Sequence, residues 1–77
     1  MAKKDFRVEV TELRVESTGR TTSHRVPELD FDVRAKHVDQ ARAEARAQAR
    51  RLGKRFKSVH GSVEKRGRPH LSMLVWG

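Results

Sequence analysis

Seven cations, Arg42, Arg46, Arg50, Arg51, Lys54, Arg55 and Lys57, fall within sixteen residues and are opposed only by Glu44. Such residues hold anions, and the Arg guanidinium does so with paired donors that match phosphate geometry. Residues 1–33 carry 6 Lys/Arg against 7 Asp/Glu, whereas residues 34–77 carry 12 against 3. This asymmetry directs one side of the protein toward anionic partners. Arg42, Arg46 and Arg50 repeat at i,i+4 and form one ribbon on a helix, while Arg51 projects elsewhere. Like charges at that spacing repel by a few tenths of a kcal/mol per pair. A phosphate backbone relieves that repulsion. Lys54, Arg55 and Lys57 extend the cations past the helix, and Lys65, Arg66 and Arg68 sit at a hairpin tip. Ordinary causes compete with this reading. Arg50 and Arg51 suit the helix dipole, Arg stems cover apolar surface at the border of a small core, and an Arg- and Ala-rich composition also arises from GC-rich coding.

The remaining candidates carry weaker chemistry. Leu74 and Trp76 lie outside the main apolar pattern and form a contact surface, since Trp and Arg are enriched in interface hot spots. An aromatic beside cations also stacks a nucleobase. His24, His37, His60 and His70 lack paired metal-ligand spacing, and there is no cysteine, so no metal site or cofactor is expected. His60 and His70 are expected to face each other across the last hairpin with Glu64 nearby, only loosely like a base and its orienting carboxylate. Cross-strand polar pairing explains them as well. Asp30 and Asp32 share a strand face and pair readily with Arg7 or Arg34. There is no P-loop, G-x-G-x-x-G or G-x-S-x-G motif, so no enzyme class is indicated.

The elements that position these residues follow from periodicity. Phe6, Val8 and Val10 alternate with charged residues as a half-buried strand. Apolar parity then slips to Leu13 and Val15, which suggests a bulge near Thr11-Glu12. Residues 17–22 read as a turn. Leu29, Phe31, Val33 and Ala35 form a second strand, and Pro27 places its start at an edge or before the ladder begins. Val38 to Leu52 contains neither Gly nor Pro. Val38, Ala41, Ala45, Ala49 and Leu52 follow helical spacing as a narrow stripe, and Gly53 suits the left-handed position after a helix. Val59, Gly61 and Val63 alternate as a third strand, and His70–Trp76 is the last. A two-residue Arg66-Gly67 turn sets Leu74 and Trp76 beside Val59 and Val63. A three-residue loop instead aligns Leu71, Met73 and Val75 with them, and it is favoured because it buries three apolar residues on one face.

The expected fold is α+β: a small antiparallel sheet of four to five strands, in the chain order strand, strand, helix, strand, strand, with one helix on one face. Residues 1–5 form a flexible tail and residues 6–77 one domain. The layout resembles many small phage and mobile-element proteins, without a motif that transfers roles. At 77 residues the core is thin. The N-terminus lacks the apolar segment of a secretory signal and no stretch is long enough to span a bilayer, so a cytoplasmic protein is expected. The expected function is non-enzymatic binding of nucleic acid, DNA or RNA, largely through its backbone. The alternative is an inhibitor or adaptor docking on an acidic protein surface. A homodimer through an edge strand is a further possibility.

Overall fold

Phe6, Val8 and Val10 open the first strand of a mixed five-stranded sheet, seen in a computed structural model that describes residues 2–77, with the side chains of residues 62, 63 and 65 left aside. The elements are β1 (Lys4–Val15), β2 (Thr21–Arg25), a 3-10 turn at Pro27–Leu29, β3 (Phe31–Ala35), α1 (Val38–Arg51), β4 (Arg55–Lys65) and β5 (Arg68–Trp76). Across the sheet the order is β2, β1, β5, β4, and β3 also pairs with β1. β2 and β3 therefore line the same edge of β1, one after the other. The α+β class and the single helix over one face are as the sequence implies.

The central pair departs from an all-antiparallel sheet. β1 and β5 are parallel, while β1–β2, β1–β3 and β4–β5 are antiparallel. Direction follows from counting reversals. β3 runs against β1, α1 returns across the sheet, β4 runs with β3, and β5 turns back to run with β1. The helical crossover that joins the two sheet edges thus makes the middle pair parallel.

No bulge interrupts β1 at Thr11-Glu12. Its register with β5 is unbroken from Arg7↔His70 to Leu13↔Trp76. The parity slip instead reflects use of both faces. Glu12 lies on the helix face at 6% exposure, and Leu13 on the other face at 9%. The irregularity belongs to the neighbouring chain, where Val26–Asp30 leaves the ladder between β2 and β3. Val26 N still donates to Val10 O at 3.0 Å, and Asp30 Oδ1 accepts from Val10 N at 2.8 Å. Pro27, without an N–H, sits in this excursion before β3 begins. β2 was not visible in the sequence because Thr21–Arg25 carries no apolar residue. β1 also reaches two residues behind the expected domain start, since Lys4 pairs with Ala35 and Asp5 with Arg34.

α1 begins at His37, whose Nδ1 accepts from Gln40 N at 3.3 Å, while Gln40 Oε1 accepts from Lys36 N at 2.8 Å. This reciprocal pair satisfies two backbone donors in the manner of a capping box. Gly53 ends the helix at φ +72, a conformation glycine adopts without steric cost. Ala41, Ala45 and Ala49 are fully buried against Val8, Val10, Leu71, Met73 and Val75. Their small side chains allow the helix to approach the sheet closely. Leu52 is not part of that stripe: it caps the helix and is 36% exposed.

The last hairpin combines both registers. Arg66 and Gly67 both have positive φ, +54 and +74, so they form a two-residue primed turn. Lys65↔Arg68 and Val63↔His70 follow from it. A shift between His60 and Val63, with Gly61 at φ +69, then moves Val59 opposite Met73. The three-residue loop is thus replaced by a tight turn plus a bulge. The packing it was favoured for is retained, with Leu71, Met73 and Val75 buried together.

Candidate functional site

The sheet has one face covered by α1, and strand alternation places Leu74 and Trp76 on the opposite, open face. Both are half-buried. Trp76 stands on the central strand β5, between Leu13 on β1 and Arg55 on β4. The Arg55 guanidinium lies 5.8 Å from the Trp76 ring centre and Lys57 Nζ lies 5.1 Å from it. Contacts of this kind contribute about 0.5–1 kcal/mol when exposed. A register shift between Phe56 and Ser58 brings Ser58 opposite Leu74. Lys57 and Ser58 consequently both reach the open face. Sequence alternation alone did not disclose this second bulge.

The cations singled out in the sequence divide into three groups. Arg46 of the helix ribbon stands 5.3 Å from the Phe56 ring centre, so the ribbon flanks the β4 side of the sheet. Arg55 and Lys57 border the same β4 edge from the other face. Arg66 and Arg68 form the third group, at the far end of the hairpin. With Arg7 and His70 they line a shallow depression on the open face. Tip and helix ribbon therefore do not lie on one side and do not form a single groove.

Charge compensation separates them further. Arg42 pairs with Asp39 at 3.5 Å, Lys54 with Glu12 at 3.0 Å, and Arg68 with Asp32 at 3.3 Å. Arg51 donates to Gln48 Oε1 at 3.1 Å. Among the described residues, no carboxylate pairs with Arg46, Arg50, Arg55 or Lys57. At the opposite edge Arg7, Arg25 and Arg34 are paired with carboxylates. Asp30 accepts Arg25 through both oxygens, at 3.2 and 2.8 Å, and Arg25 also reaches Val10 O. Arg7 bridges Asp32 at 3.5 Å and Asp30 at 4.0 Å, Arg34 pairs with Asp5 at 3.3 Å, and Glu9 meets Arg25 at 3.7 Å. Arg7 is thus the cross-strand partner expected for Asp30 and Asp32, while Arg34 takes Asp5 instead.

Three titrations are perturbed by these contacts. Burial pushes the Asp30 carboxyl up, but the Arg25 hydrogen bonds, the Val10 N–H and the charges of Arg25 and Arg7 outweigh it and hold it below the usual value. The hydrogen bonds to Asp30 raise Arg25 in turn. Glu12 is lowered by its hydrogen bonds with Lys54 and then Arg14, the latter at 3.0 Å. The Asp30–Arg25 pair lies away from the uncompensated edge, whereas Lys54 directly precedes Arg55.

The histidines do not converge. His60 lies opposite Ser72 and His70 opposite Val63, so they do not face each other. The two-residue turn already separates them, since its register continued without the bulge would set His60 opposite Met73. His60 Nε2 contacts Ser58 Oγ at 2.9 Å, and His70 Nδ1 contacts Arg68 O at 2.9 Å. Among the described residues, no carboxylate hydrogen-bonds a histidine ring, and no group of three or more His, Asp or Glu is placed to hold a metal ion. No helix among them is long and apolar enough to cross a membrane. Comparison with protein-family models, curated proteins and solved structures finds no match.

Proposed function

We propose that this is a small non-enzymatic basic protein that binds nucleic acid, DNA or RNA, mainly through the phosphate backbone and with little sequence preference. The carrying observation is the clustering of charge: Arg46, Arg50, Arg55 and Lys57 collect without carboxylate partners along the β4 side, while on the β2/β3 side Arg7, Arg25 and Arg34 are each paired with a carboxylate. A purely solvated basic surface has no need for such sorting. Concentrated, uncompensated cations release condensed counterions when they replace them on phosphates. Base-edge readers are not part of this reading, so phosphate contacts would position the chain without specifying sequence.

The test is equilibrium binding to fluorescently labelled single-stranded and duplex oligonucleotides across a salt series. Four engaged cations give a log–log salt slope of about −2.8 for single strands or about −3.6 for duplex. Absence of binding at ~50 mM salt contradicts the proposal. The alternative partner is an acidic protein surface. It is favoured by the half-buried Leu74 and Trp76 beside Arg55 and Lys57, an aromatic–cation combination typical of hot spots. A protein partner that stays bound after nuclease treatment and is lost in Trp76→Ala would support it. Loss of all captured material to nuclease would remove that support.

A further inference from the structure

We infer that the partner is single-stranded nucleic acid, laid across the open face along β4 and β5 with one base stacked on Trp76. This rests on the backbone-binding reading and narrows it. Trp76 is the sole tryptophan, and it stands on a central strand with cations from the neighbouring strand at its ring. Arg55 and Lys57 lie over the ring in the free protein; turned outward they take the phosphate while the ring takes the base. From Trp76 the strip continues through Leu74 and Ser72 to His70, with Ser58 and His60 beside it on β4. The six residue steps from Trp76 to His70 span roughly 20 Å. The far end holds Arg66 and Arg68 at the hairpin tip.

Between these ends the strip presents Leu74, the hydroxyls of Ser58 and Ser72 and the rings of His60 and His70, with no carboxylate among them to repel phosphate. The open-face carboxylates lie off β4 and β5, on β1, on β3 or just before β3, and are tied to arginines: Glu9 and Asp30 to Arg25, Asp32 to Arg7 and Arg68, Asp5 to Arg34. A duplex fits this surface poorly. Groove reading needs a protruding helix or two-stranded ribbon, whereas the Trp76 ring belongs to a sheet face. Bringing a duplex base to it costs a few kcal/mol of unstacking and unpairing. A single strand presents its bases already free.

With one Trp and no Tyr in the chain, intrinsic fluorescence reports on Trp76 alone. The experiment titrates the full chain with oligothymidylate of about 12 nucleotides, a length within the sites single-strand binders use, with duplex DNA, and with inorganic polyphosphate. Oligothymidylate is expected to quench Trp76 emission and polyphosphate is not. Trp76→Leu should weaken oligothymidylate binding about tenfold and leave polyphosphate binding unchanged, while Trp76→Phe should keep most of the affinity. Circular dichroism checks that the variants fold. If the Leu variant does not, the wild-type quenching and the Phe variant still decide. Binding of oligothymidylate without quenching, or equal affinity for duplex, overturns the single-strand inference and leaves the backbone reading standing. Failure to bind any of the three polyanions overturns both.

Discussion

Replacing Asp30 with Ala should destabilise the protein more than any other single surface-proximal change. The Asp30 side chain is only 7% exposed and closes the gap where β2 and β3 part from β1. It supplies the acceptor that Val10 N otherwise lacks, at 2.8 Å, and receives the Arg25 fork. A hydrogen bond to a charged group contributes about 1.5–3 kcal/mol, and the Val10 N–H would be left without that acceptor. Arg25 is 41% exposed, so solvent screens its share and water replaces some of it. The expected loss is therefore about 2–3 kcal/mol rather than the sum of all contacts. For a domain of this size that lowers the thermal midpoint by about 8–24 °C. Asp30→Asn retains an oxygen for Val10 and should cost about half as much. Thermal and urea unfolding followed by circular dichroism measure both. The sign with pH is fixed: Asp30 is held below its usual pKa when folded. Its contribution is thus present above the unfolded carboxylate pKa and lost as pH falls through the folded value. The wild type should approach the Asp30→Asn variant in stability at low pH. An Asp30→Ala variant within about 0.5 kcal/mol of wild type, the usual range of an inconsequential surface change, would refute this account of how the strands are joined.

Glu12→Gln should lower the thermal midpoint at neutral pH, with the difference shrinking in acid, because Lys54 and Arg14 hold the Glu12 carboxyl below its usual pKa and its contribution vanishes once it is protonated in both states. Gly61→Ala should cost about 1 kcal/mol by urea unfolding. An added Cβ there meets nothing within 4 Å at φ +69, so the cost is one of backbone conformation alone, and Gly61→Asn should cost less. Ala45→Leu should destabilise by about 1–3 kcal/mol through overpacking, since Ala45 is fully buried beneath the sheet; a neutral result would show slack between helix and sheet.

Helix and core were readable because their signals are periodic. Ala41, Ala45 and Ala49 are spaced for one face, and no local feature competes with them. Leu52 fitted the same spacing, yet the turn that ends at Gly53 carries it outward. Thr21–Arg25 escaped notice because an edge strand beside the exposed end of β1 needs no apolar residue. The parallel centre of the sheet was also hidden, since local pattern shows hairpins but not how a crossover orders them. Both β4 bulges displace register without leaving a distinct residue signature beyond Gly61. Charge asymmetry was plain from composition. Its division into paired and unpaired cations depended on Asp39, Glu12 and Asp32 lying beside Arg42, Lys54 and Arg68, and two of those three contacts join residues far apart in the chain.

The central claim is that position, not total charge, makes the β4 side a binding surface. The most direct measurement compares two charge-matched variants in oligonucleotide binding at ~50 mM salt, where phosphate contacts are strong. One carries Arg55→Glu with Lys57→Glu on the uncompensated edge. The other carries Arg20→Glu with Arg34→Glu on the exposed β2/β3 side. The account predicts that the first loses most of its affinity and the second keeps most of it. Equal losses in both variants, or none in the first, would contradict it.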